Sequence, residues 1–225
     1  MVYMLYVFIP SLVLVLITQG LVSSQYRKYG RIQNSRRITG AQAAEAVLRL
    51  GGVYDVSIQC IEGRLTDNYN PRTNTISLSR DIFYGDSIAA VGIAAHEAGH
   101  ALQYAEGYGP IKLRSAIIPI TNFGSAFGVL LIILGLVINM LALSWAGVIL
   151  FAAVVVFQLV TLPVEFNAST RAIKSIESAA LLNDEELSGA KRVLTAAALT
   201  YVAALLQSLL TLVYYITRIN NRGGR

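Results

Sequence analysis

Histidine is nearly missing from this chain, with two residues in 225. Cysteine is scarcer still. Cys60 stands alone, which excludes an intrachain disulfide framework and is compatible with a reducing compartment. Charge is sparse, 14% Asp, Glu, Lys and Arg against 55% hydrophobic residues, and the mean hydropathy is +0.56. That balance excludes an ordinary soluble domain and is the composition of a membrane protein. There is no internal repeat and no low-complexity tract. The net charge of +5 is not interleaved with base-stacking aromatics in any nucleic-acid-binding pattern, so nucleic acid is not an expected partner. Its position beside apolar segments explains it instead, through orientation in the bilayer and attraction to anionic head groups.

What is present in quantity is long apolar sequence. Four stretches meet the need for roughly 20 apolar residues to cross a bilayer: 2–22, which has no charge, 116–143, 146–164 and 194–217. The second and third form a close pair joined near Ser144 and Trp145. The first has no basic n-region and is followed, not preceded, by Arg27, Lys28, Arg31, Arg36 and Arg37. It therefore reads as an uncleaved anchor with its N-terminus outside rather than as a secretory signal. Of 18 Lys and Arg residues, 11 fall between the first and second stretches and four between the third and fourth. The positive-inside rule assigns both regions to the cytoplasm. The expected organisation is an anchor at 2–22, a cytoplasmic domain at 23–115, a transmembrane hairpin at 116–164, a cytoplasmic segment at 165–193, a fourth hydrophobic helix at 194–217 and a basic tail at 218–225. If the fourth helix crosses fully, Arg218, Arg222 and Arg225 violate the charge rule; otherwise that helix does not cross simply.

Only the segment 23–115 is long enough to fold as a domain outside the bilayer. Thr39 caps a short helix that Gly51 and Gly52 stop. Alternation over Val56–Cys60 and Thr75–Ser79, separated by a loop at Asn70 and Pro71, predicts a small strand pair and gives Cys60 a half-buried position. Asp86 or Ser87 caps a helix over Ile88–Tyr104, and Gly107, Gly109 and Pro110 end it. The uncharged run before His96 is too short to span a membrane. The fold class is thus a mainly helical α+β membrane protein with about four transmembrane segments and a small cytoplasmic domain.

Both histidines lie on that helix, in His96-Glu97-Ala98-Gly99-His100. Two His four positions apart project from one face and can reach one metal ion, with the intervening Glu placed to hold a water and move its proton. The pattern is short enough to arise from packed or surface histidines, but a chain that spends its whole histidine supply at this spacing argues for the metal. A catalytic zinc takes three protein ligands and an open position. With no histidine left, the third ligand is a carboxylate or Cys60. Glu165, just past Pro163 at the end of the third apolar stretch, stands out, because the hairpin returns it to the face where the motif sits. A carboxylate there is otherwise an interfacial residue.

The segments Asn70-Pro-Arg-Thr-Asn-Thr-Ile-Ser-Leu-Ser79, Ser87-Ile-Ala-Ala90, Ala94-Ala-His-Glu-Ala-Gly-His-Ala-Leu-Gln103 and Pro163-Val-Glu-Phe-Asn-Ala-Ser169 resemble the YugP-type neutral zinc metallopeptidases of bacteria, over nearly the whole chain. The layout is similar to that of membrane gluzincins. The resemblance implies a zincin-like cytoplasmic domain, Zn2+ held by His96, His100 and Glu165, Glu97 as general base and then acid, and a strand over Thr75–Ser79 that forms the cleft edge for an extended substrate. Ser169 stands where such relatives carry an Asp one turn after the ligand Glu. Tyr69, Tyr84, Tyr104, Tyr108 and Arg171 are the candidates for stabilising an oxyanion, no third His being available. The expected function is a zinc-dependent endopeptidase of the bacterial cytoplasmic membrane, multi-pass, with its active site facing the cytoplasm and a protein or peptide, together with the lipid bilayer, as partners. Two other readings are a site-2-type intramembrane protease, which the short apolar run around His96 disfavours, and a non-catalytic membrane scaffold or adaptor retaining a metal site, which the intact Glu97 disfavours. Oligomeric state is not legible.

Overall fold

The computed structural model describes residues 3–223. Val2 of the expected anchor and residues 224–225 of the basic tail lie outside that range. After a π-helical stretch at Met4–Phe8 the order is α1 (Ile9–Tyr29), α2 (Gly40–Leu50), β1 (Ser57–Ile61), β2 (Asn68–Asn70), β3 (Thr75–Ser79), α3 (Arg80–Phe83), α4 (Ile88–Ala105), α5 (Gly109–Val137), α6 (Leu141–Ser178) and α7 (Asp184–Gly223). Among the described residues, four helices are long and apolar enough to cross a membrane: Met4–Tyr29, Gly109–Val137, Leu141–Ser178 and Asp184–Arg222. They carry the expected apolar stretches, except that 138–140 of the second form the connection after α5 and 141–143 begin α6. The chain divides into two compact units, one made of 1–17, 110–163 and 200–225, the other of 18–109 and 164–199.

In the first unit the α5–α6 hairpin is tight because small residues meet across it. A Cβ on Gly128 would lie 2.9 Å from Phe151 Cβ, and one on Gly124 2.4 Å from the Leu150 carbonyl oxygen. Small residues let backbones approach where lipid offers no hydrophobic drive between helices. The connection falls at 138–140, not at Ser144 and Trp145 as expected. Asn139 adopts a left-handed φ of 59° and the Met140 N–H bonds to the Gly135 carbonyl at 2.8 Å, a combination that ends α5. Ser144 is fully buried in α6, its hydroxyl donating to the Ile132 carbonyl at 3.1 Å. A hydroxyl bonded in this way satisfies itself inside a helix pair, so Ser144 does not need the turn that its polarity suggests.

In the second unit, α2, α3, α4 and the sheet share one core, which includes Val47, Ile76, Leu78, Ile82 and Val91, together with Ala172 and Ile176 of α6 and Ala190 of α7. Thr39 caps α2 in a reciprocal capping box with Gln42, and Ser87 caps α4 by accepting from the Ala90 N–H. The expected strand pair is part of a three-stranded sheet in the order β1-β3-β2, with β1 parallel and β2 antiparallel to β3. The short β2, an Asn-Tyr-Asn segment, carries no alternation signal of its own and forms by a tight return through Asn74, whose φ is 49°. Two expectations are corrected here. β3 is the central strand, paired with β1 along its length and with β2 over Thr75–Ser77, so it is not a free edge for a substrate strand. Cys60 is exposed, not half-buried, because β1 is an edge strand whose residues keep accessibility that those of β3 lose.

Candidate metal centre

α4 brings His96 and His100 onto one face, one turn apart, with ring centroids 4.7 Å from each other. α6 supplies Glu165. One of its carboxylate oxygens, Oε2, lies 3.3 Å from His96 Nε2 and 3.6 Å from His100 Nε2. One ligand atom from each residue fits within a 4.8 Å span. Zinc–ligand bonds of about 2.0–2.1 Å in a tetrahedron set donor atoms about 3.3–3.4 Å apart. Two imidazole nitrogens and a carboxylate oxygen at these separations therefore fit zinc, as donor types and as spacing. Glu165 is 2% exposed and His100 8%. A carboxylate so buried must be paired or bound, since isolated charge is costly away from water. Cys60 is not part of the cluster.

The close approach of α4 and α6 is made at Gly99, inside the motif. A Cβ there would stand 2.6 Å from the Ala168 carbonyl oxygen. Helix α4 also runs close to α7 at Gly92, where a Cβ would meet that of Ala190 at 3.3 Å. Gly99 thus sets the distance between α4, which carries His96 and His100, and α6, which carries Glu165.

Each histidine is held from its far nitrogen. His96 Nδ1 lies 3.2 Å from the Ser169 hydroxyl and His100 Nδ1 lies 3.0 Å from Gln103 Oε1. Gln103, fully buried, donates through Nε2 to the Val164 carbonyl at 2.8 Å and to Asn167 Oδ1 at 2.9 Å. Those two acceptors determine which end of the amide faces His100. Oε1 accepts only, so the hydrogen of neutral His100 resides on Nδ1 and the Nε2 lone pair is directed at the cluster. Asn167 Oδ1 also accepts from Arg171 Nε at 2.7 Å, and Arg171 pairs with Glu106. A chain of polar contacts from Glu106 through Arg171, Asn167 and Gln103 therefore ends on a candidate ligand. Sequence reasoning missed Gln103 and Asn167. The available signal was their spacing, one turn after His100 and two residues after Glu165.

Burial alone would lower the pKa of His100. The Glu165 carboxylate beside its Nε2 and the nearby Glu97 charge outweigh it and raise the pKa above its ordinary value. Glu97 is itself buried on α4 and, among the described residues, no hydrogen bond or ion pair occupies its carboxylate.

The expected oxyanion donors are largely committed elsewhere. Arg171 is held by Asn167 and Glu106 and lies over the Tyr108 ring. The Tyr69 hydroxyl donates to Asn74 at 2.7 Å and its ring packs on Tyr104 at 5.6 Å. Burial and the neighbouring Tyr104 and Asp55 raise the Tyr69 pKa. Tyr84 is exposed and packs on Phe83.

The sequence profile of a family described as "Putative neutral zinc metallopeptidase" matches residues 3–220. The chain is also similar to the "Putative membrane protease YugP" of Bacillus subtilis (strain 168), 45% identical over 215 residues, covering 95% of this chain and 96% of that protein. No solved structure matches.

Proposed function

Since the chain belongs to this family of neutral zinc metallopeptidases, we propose that it is a membrane-embedded, zinc-dependent endopeptidase that hydrolyses peptide bonds at the cytoplasmic face of the bacterial membrane. The observation that carries the proposal is the convergence of His96, His100 and Glu165 within 4.8 Å, with Glu97 on the same helix and its carboxylate uncommitted.

His96, His100 and Glu165 would hold the metal, the two histidines offering Nε2 and the glutamate a carboxylate oxygen. When bound, zinc supplies Lewis acidity, making water easier to deprotonate and a carbonyl easier to attack. Glu97 takes the proton of the attacking water and passes it to the departing amine. Gln103 keeps the His100 imidazole in the required tautomer, and Ser169 helps to orient that of His96. An extended substrate adds to the free edge of β2 rather than to β3. The Tyr69–Tyr104 ring contact ties that edge to the motif helix one turn past His100. The short apolar run before His96 and the division of basic residues support a site outside the hydrocarbon, on the cytoplasmic side.

The test compares wild type with Glu97→Gln for bound zinc and for cleavage of casein. A variant that keeps its zinc and loses cleavage supports the endopeptidase; undiminished cleavage refutes it, and no cleavage by a zinc-loaded wild type leaves the metal-retaining scaffold as the correct reading.

A further inference from the structure

Away from the metal centre, the second unit contains a cleft of about 880 Å³ whose charged lining consists of Arg27, Arg31, Arg64, Arg80 and a single acid, Asp81. Three separate parts of the chain bring the arginines together. Arg27 lies in the last turn of α1 and Arg31 just beyond it, Arg64 comes from the loop between β1 and β2, and Arg80 opens α3. The other arginines near α1 are occupied: Arg37 pairs with Asp86 at 2.8 Å, and Arg36 donates to the Ala180 carbonyl. Among the described residues, none of the four cleft arginines has an ion pair or a side-chain hydrogen bond. Arg64 lies over the Tyr26 ring, its guanidinium carbon 5.1 Å from the centroid, which positions the group and leaves its N–H edges available.

Four guanidinium groups around one carboxylate repel one another unless an anion joins them. Guanidinium forks match phosphate oxygens in geometry and charge. The cleft is too large for a simple ion pair and too polar for an apolar ligand. Its level along α1 identifies the source of the phosphate. The apolar run of the first span ends at Val22, and Tyr26 and Arg27 follow one turn later, about 6–8 Å along the helix axis. For a helix that crosses the bilayer, which is part of the functional reading above, that is the depth of the lipid head groups. We infer that the cleft formed by Arg27, Arg31, Arg64 and Arg80 binds the phosphate of an anionic phospholipid head group.

The experiment follows the unfolding midpoint of the full-length protein in detergent micelles during separate titrations with phosphatidylglycerol, phosphatidylcholine and inorganic phosphate. The wild type is compared with Arg64→Gln, Arg80→Gln, their double variant and the control Arg49→Gln, whose arginine pairs with Glu45 on α2. Phosphatidylglycerol raises the wild-type midpoint and phosphatidylcholine does not. The concentration for half the effect increases about fivefold for each cleft arginine removed, while Arg49→Gln behaves as wild type. An equal response in the double variant, or no response in wild type, overturns the site. A response to inorganic phosphate without one to the lipid overturns the head-group assignment. Zinc content and casein cleavage are read separately, so failure of the peptidase reading does not mimic failure of this one.

Discussion

Gly99 sits between His96 and His100 and determines how closely Glu165 approaches them. In Gly99→Ala the new Cβ meets the Ala168 carbonyl oxygen at 2.6 Å, whereas ordinary contact begins at 3.4 Å. The obstacle is backbone, so no rotamer change relieves it, and the helices must separate locally by about 0.8 Å, the difference between those distances. Ala168 is three residues from Glu165 on the same helix, so the separation reaches the 3.3 and 3.6 Å contacts with His96 and His100. Metal sites tolerate ligand-distance errors of only about ±0.2 Å. Zinc affinity should therefore fall about 10- to 100-fold, the range seen when groups supporting ligands are lost, and stability should fall by about 1–3 kcal/mol from overpacking. Competition against a chromophoric chelator measures the affinity, and thermal unfolding of the metal-free protein measures the packing cost. Gly92→Ala is the internal comparison: its Cβ meets another side-chain carbon at 3.3 Å, so zinc affinity should stay near wild type. Wild-type zinc affinity in a folded Gly99→Ala would refute the claim that this contact sets the ligand geometry.

Gln103→Leu should cost about 1–3 kcal/mol, because it leaves the Val164 carbonyl and His100 Nδ1 buried without their partner, and should weaken zinc binding; Gln103→Glu, which keeps an acceptor for Nδ1, should recover part of the zinc affinity but not the stability. Ser169→Asp should tighten zinc binding by giving His96 Nδ1 a charged acceptor in place of a hydroxyl, checked by the same competition assay. The raised pKa of His100 means that a proton competes with metal at a higher pH than for a free histidine, so apparent zinc affinity should decline as pH falls through that value. In the metal-free protein the same shift contributes stability that is present in full below the unfolded histidine pKa and is lost as pH rises through the folded one; titrating zinc affinity and unfolding midpoint from pH 8 down to pH 5 checks both directions.

The sequence was most legible where one residue type was scarce or one physical rule dominated. Two histidines four apart, and Thr39 and Ser87 before apolar runs, pointed to the candidate cluster and to both helix starts. The cluster of His96 and His100 with Glu165 followed from ligand arithmetic and chain direction. What was not legible depended on pairing between distant segments. β2 is three residues long and exists because β3 gives it a partner. Ser144 reads as a turn residue until Ile132 accepts its hydroxyl proton. Gln103 looks like one more polar residue on a helix, and its role depends on Val164 and Asn167, more than 60 positions away. The oxyanion candidates were chosen by residue type, whereas hydrogen bonds and ring contacts had already engaged most of them.

Cys60 is the sole thiol in the chain and stands exposed on an edge strand of the unit that contains His96, His100 and Glu165. The unaltered protein therefore carries a single-site chemical reporter. In intact cells, a maleimide that cannot cross the membrane marks it only if that unit faces outward, and a permeant maleimide marks it on either side. Orientation in the bilayer can thus be read from one alkylation experiment, with no engineered cysteine and no fused reporter.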